Sequence, residues 1–304
     1  MKQFVGELIE KEYAQELILK QREFFPSMIS SFIIPVSILQ MIREDSVNIS
    51  GIRFMYAMEE AGNPKSAMLL LMPCNTTSME KAIPNAIVQP LGYFNHKGER
   101  ISLKKTWEYL YNHAVYMSQQ QSSVPFRKIV RGAFFGIESL HSLMYEYSNS
   151  NSLLYNFGYD SEAKEGINPH KPVLIPLDFN GNRYDIFMDN ADLCPPNNCD
   201  SPDSCLATIT AKTDHELNMY RTFRDDFFLS NIQNGPLVEM YYYISPALTE
   251  AIAATGRAEE IYHKLYQNEF VTCNRLLADG KYPEVKLLFE QTMHNLMQQY
   301  LWSK

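Results

Sequence analysis

The chain has 304 residues, 45% of them apolar and 20% charged, with a formal net charge of −8. That length suits one large domain or two ordinary ones, and the balance is that of a folded soluble chain, not a disordered one. The acidic excess argues against a nucleic-acid partner, which needs a basic face to displace counterions from phosphate, and against docking on anionic lipid.

Residues 3–24 carry Val5, Leu8, Ile9, Tyr13, Leu17 and Ile18 at helical spacing, which predicts an amphipathic helix. Met1 runs directly into Glu7, Glu10, Lys11 and Glu12, so no signal-peptide core is legible. The apolar run Met28–Leu39 is broken by Pro35 and falls short of the roughly 20 residues that cross a bilayer. Pro35 suits the first turn of a short helix reaching Arg43, because its missing N–H would be unpaired there anyway.

The pattern then turns to strands. Gly51–Met58 and Ala67–Met72 flank the breaker Gly62-Asn63-Pro64 and predict a hairpin. A second hairpin is predicted from Ala86–Phe94 and Arg100–Leu103 around Asn95–Gly98. A third runs from Pro172–Phe179 to Arg183–Met188 around Asn180-Gly181-Asn182, where Asn-Gly tolerates positive φ. Helices are predicted over about 104–121 and 134–147. Residues 148–170, rich in Ser, Asn and Gly, predict a long loop.

Beyond Cys205 the strand signal stops. Helices are predicted at about 207–228, 236–244, 246–254, 257–274 and 283–302, with Ser245 capping the helix that Pro246 opens. The fold class is therefore α+β. A mixed domain of helices and short antiparallel hairpins (1–199) precedes an all-α domain (200–304).

Of five cysteines, Cys194, Cys199 and Cys205 crowd the junction. The odd total excludes a complete intramolecular disulfide framework and fits a reducing, cytoplasmic setting. Clustered thiolates can bind zinc, but these spacings reach or exceed those of a knuckle, and a fourth ligand would have to be His170, His215 or Cys273. Zinc, a Cys194–Cys199 disulfide and plain structural cysteines remain three readings, of which the last is preferred. Cys74, just past an apolar strand, is a weaker thiol candidate without a visible histidine partner. Arg221 and Asp225 stand one helical turn apart and predict an ion pair. Tyr241-Tyr242-Tyr243 reads as core packing with hydroxyls at the edge.

Two resemblances follow from quoted segments. Gly51-Ile52-Arg53-Phe54-Met55-Tyr56, Leu69–Pro73 and Leu193–Cys199 resemble a hairpin and a Cys-Pro-Pro-x-Cys segment of uncharacterised bacterial proteins. Cys205-Leu206-Ala207-Thr208, Arg221–Asp225, Tyr241-Tyr242 and Ser245-Pro246 resemble the bacterial Cys-Phe-Ile box. Neither resemblance implies an activity. With no catalytic motif visible, the sequence favours a non-enzymatic protein acting on a protein partner as scaffold or adaptor. The alternatives are a zinc- or thiol-dependent hydrolase using Cys194, Cys199 and Cys205, and a small-molecule sensor with a pocket between the domains.

Overall fold

The computed structural model describes residues 5–45, 49–74, 93–120, 130, 132–163, 169–189, 191–194, 206–230 and 234–301. In chain order its elements are β1 (Glu7–Leu8), α1 (Lys11–Phe24), β2 (Ser31–Pro35), α2 (Val36–Asp45), β3 (Gly51–Met58), β4 (Ala67–Cys74), β5 (Tyr93–Asn95), β6 (Arg100–Ile101), α3 (Leu103–Gln120), β7 (Gly132–Gly136), α4 (Ile137–His141), β8 (Ser152–Tyr159), β9 (His170–Leu177), β10 (Met188–Asp189) and β11 (Asp192–Cys194). The helices α5 (Leu206–Thr210), α6 (Asp214–Phe223), α7 (Gly235–Ala253), α8 (Ala258–Leu265), α9 (Val271–Ala278) and α10 (Tyr282–Tyr300) follow. The fold is α+β with a helical C-terminal region. Two compact units emerge: Met1–Tyr116 with Val130–Cys199, and Met117–Ile129 with Asp200–Lys304.

Two antiparallel sheets build the first unit, in the orders β1-β10-β9-β8-β2 and β11-β7-β3-β4-β5-β6. The predicted 51–72 hairpin forms, with Gly51 opposite Cys74 and Met58 opposite Ala67. Every residue of β3 is buried, Arg53 included, as in a strand covered on both faces. Ile52, Phe54 and Tyr56 from one sheet share a core with Leu153, Tyr155 and Leu174 from the other. Phe54 and Tyr155 rings lie 5.4 Å apart, and the Tyr56 and Tyr155 hydroxyls pair at 2.8 Å inside this core. Helix α1 closes the outer face of the five-stranded sheet, setting Ala14, Leu17 and Ile18 on Leu154, Val173 and Ile175.

Glycines allow the close approaches. A Cβ on Gly51 would stand 2.3 Å from Phe135 O and 2.4 Å from Phe134 Cζ. One on Gly158 would stand 2.4 Å from Lys171 O and 3.0 Å from Leu17 Cβ, inside the α1 contact.

Several sequence expectations give way. The first helix begins at Lys11, because Glu7 and Leu8 pair instead with Asp189 and Met188. The run from Met28 is partly strand: β2 precedes the helix that was expected near Pro35 and pairs with β8. The largest correction is the stretch 148–170. It holds β8, an inner strand between β9 and β2. Its Leu153 and Tyr155 alternate into the core, whereas Ser, Asn and Gly on either side mimic a loop. Similarly, Gly132–Gly136 is the strand β7, so the helix expected from 134 starts at Ile137. Of the second hairpin, β5 and β6 pair as expected, and residues 86–92 lie outside the described part.

In the helical unit, α7 runs unbroken through Ser245 and Pro246. The predicted helix start there is wrong, and Ser245 is no cap. Proline at that point removes the N–H that would bond the Tyr242 carbonyl and crowds that carbonyl with its ring, and packing around buried Ile244 and Leu248 carries the helix past it. Three π turns widen helices: Ser142–Glu146 after α4, Arg224–Phe228 after α6, and Tyr266–Phe270 between α8 and α9. Such turns often accompany functional sites.

Candidate functional site

The cysteine cluster is only partly visible. Cys194 ends β11 with its backbone opposite Gly132, while Cys199 and Cys205 lie outside the described residues. Among the described residues no three His, Cys, Asp or Glu side chains are grouped to hold a metal ion. The three residues named as a fourth ligand divide between the two units. His170 belongs to the first unit, where it packs on the rings of Phe25 and Tyr159, and burial pushes its imidazole down to about 4. His215 and Cys273 belong to the helical unit. Cys74 closes β4 opposite Gly51.

The helical unit offers what the sequence did not reveal, an apolar cavity of about 160 Å³. It lies among α5, α6, α7, α9 and α10, and both π turns of this unit reach it through Arg224, Phe228, Glu269 and Phe270. Aromatic rings form much of the wall. Tyr220 meets Phe270 edge-on at 5.4 Å, Phe228 meets Phe289 at 5.6 Å, and Tyr241 meets Phe289 at 5.5 Å. Leu217, Val238, Val285 and Met293 complete the apolar lining.

The polar groups nearby are ordered. Tyr241 Oη accepts from the Ala207 N–H at 2.7 Å, so one member of the tyrosine run anchors α5 and faces the cavity. Thr213 caps α6, its Oγ1 accepting from the Glu216 N–H at 3.2 Å. Glu216 then ties the unit together. Its Oε1 accepts from Tyr266 Oη at 2.6 Å and Asn274 Nδ2 at 2.8 Å, and its Oε2 from the Lys212 N–H at 2.8 Å. Burial pushes this carboxyl upward, but the hydrogen bonds from Tyr266 and from the Lys212 and Thr213 backbone outweigh it and hold it below its ordinary value. Tyr220 donates to Asn274 Oδ1 and thereby links this network to the cavity wall. Burial, followed by the neighbouring Cys273 and Glu216, raises the Tyr220 hydroxyl and keeps it neutral.

Cys273, also on the wall, is a free thiol pushed up to about 12 by burial. It is a weak nucleophile there, since the thiolate is the reactive form. The expected Arg221–Asp225 pair is replaced: Arg224 Nε donates to Asp225 Oδ1 at 2.7 Å, and Arg221 reaches Asn218 Oδ1 at 3.4 Å.

Such a lining has room for an apolar molecule, and among the described residues around it no nucleophile is activated by a neighbouring base. One signal could have placed part of the site: Thr213-x-x-Glu216 is a capping-box spacing, and it marks the start of α6 inside the single helix expected over 207–228. The cavity was not legible, because five helices far apart in sequence contribute to it. No helix among the described residues is long and apolar enough to cross a membrane. No protein-family model, no curated protein and no solved structure matches the chain.

Proposed function

We propose that this chain is a small-molecule-binding protein whose ligand occupies the cavity of the helical unit. The observation that carries the reading is the size and character of that space. The space opens to solvent beside the exposed Arg221, and its walls are mostly aromatic and aliphatic. A volume of about 160 Å³ admits one ring or a short chain, and an occupant that displaces water from such walls gains about 25 cal/mol for each Å² of apolar surface buried. This is the sensor reading of the sequence, with the pocket drawn inside one unit.

The adaptor reading would draw on exposed large apolar side chains such as Leu19, Phe24 and Ile33, and singly exposed apolar residues are ordinary on a protein surface, a thinner basis than a lined cavity.

Fluorobenzene tests the proposal directly. Its fluorine resonance should broaden and shift with the protein, and saturating amounts should raise the melting temperature. Cys273→Leu, which fills part of the cavity, should abolish both effects and stabilise the free protein by about 1 kcal/mol. If fluorobenzene does not bind, or binds that variant unchanged, the reading falls.

A further inference from the structure

The cavity wall carries charge as well as apolar surface. Arg221 and Arg224 both line it, one near the end of α6 and one opening the π turn that follows. They differ in commitment. Arg224 is half-buried and already paired, its Nε 2.7 Å from Asp225 Oδ1. Arg221 is exposed, and its hydrogen bond is a long one, from Nη1 to Asn218 Oδ1 at 3.4 Å. A side chain that both lines the cavity and is exposed stands at its opening. Arginine presents a planar fork of donors matched to a carboxylate, and it keeps its charge at any working pH.

A second feature limits the ligand's charge. Glu269 also lines the cavity, where it accepts from Thr292 Oγ1 at 3.5 Å. With Arg224 matched by Asp225, the lining retains one cation in Arg221 and one anion in Glu269. A dianion would meet Glu269 with only one counter-charge available, and like charges at short range in a poorly solvated site repel strongly. The aromatic and aliphatic interior, in turn, has no set of donors for a sugar or a nucleotide.

We propose that the ligand is a small apolar monocarboxylate. Its ring or short acyl chain lies among Phe228, Phe270 and Phe289, and its carboxylate is paired with Arg221. This identifies the ligand class for the binding reading above and rests on it.

Three probes of matched length separate the two claims when titrated into the full chain at neutral pH: hexanoate, hexanol and hexylamine. Hexanoate should bind about threefold to fivefold more tightly than hexanol, the effect of one ion pair at a solvent-exposed opening. Arg221→Gln should erase that advantage and leave hexanol binding unchanged, which also shows that the variant is folded with its cavity intact. Equal binding of hexanoate and hexanol to the natural chain would overturn the carboxylate assignment and leave the cavity reading standing. Tightest binding by hexylamine, lost in Glu269→Gln, would overturn it in favour of an amine. If none of the three binds, the ligand-binding function falls with it.

Discussion

The two units solve the packing problem in opposite ways. In the first, two sheets and a helix close on one another until backbone meets side chain, as at Gly51 and Gly158. In the second, helices held by the Glu216 hydrogen bonds leave a cavity of about 160 Å³. Pleated surfaces with small residues at the contacts can interdigitate closely. In the helical unit both π turns contribute residues to the cavity wall, Arg224 and Phe228 from one and Glu269 and Phe270 from the other. On the proposed function, ligand binding belongs to the second unit and the first is the closely packed one. The contrast can be broken or sharpened at individual residues.

The largest effect should come from the filled unit. Gly51→Ala places a methyl 2.3 Å from Phe135 O, a backbone atom of the adjacent strand, and 2.4 Å from the Phe134 ring. The ring can rotate, but the carbonyl cannot move without disturbing the β3–β7 ladder. Overpacking of this kind costs about 3 kcal/mol. Chemical denaturation of the variant should show that loss, and a loss under about 1 kcal/mol would mean that the sheet is looser than its geometry implies.

Acid should separate the units next. Burial depresses His170 and His96 to about 4, and Lys97 adds to the effect at His96. Both are neutral in the folded chain, while the unfolded chain takes up protons below the ordinary value of 6.5. Stability of the first unit is therefore full above pH 6.5 and falls as pH drops towards 4. Discounted for partial exposure, the two together contribute on the order of 2 kcal/mol. Glu216 works in a lower window. Its depressed carboxyl contributes stability above its ordinary 4.5, which is lost as pH falls further. Hydrogen exchange at pH 5 should thus find β8 and β9 amides less protected than at pH 7, with α7 amides unchanged. His170→Phe should remove about half of that change. Equal loss in both units would contradict the assignment.

Legibility divides along the same line. The α+β class, the 51–72 hairpin and the helical C-terminal region were readable, because long apolar runs and helical spacing decide them locally. Strand β8 was not readable. Its Asn156 and Gly158 carry a loop composition, although Asn156 is fully buried and Gly158 makes room for Leu17. There a tertiary contact decides what composition misreports. The cavity was invisible for a related reason. Tyr220, Phe270 and Phe289 each read as an ordinary core residue, and only their arrangement leaves space. The cysteines drew attention because spacing is visible in a sequence, whereas absent volume is not.

The smallest effect bears on the most instructive error. Ser245 followed by Pro246 has the signature of a capped helix start, and a cap hydroxyl lost to alanine costs about 1 kcal/mol. In the folded chain Ser245 lies inside α7, fully buried, and its Oγ has no hydrogen-bond partner. A buried, unpaired hydroxyl is a burden, since it has given up water and gained nothing. Alanine, the best helix former, removes that burden without changing the backbone. Ser245→Ala should therefore stabilise the protein, by about 0.5 kcal/mol once the lost packing of the oxygen is set against the gain. The opposite sign in a thermal melt, a loss near 1 kcal/mol, would restore the capped start and divide α7 at Pro246.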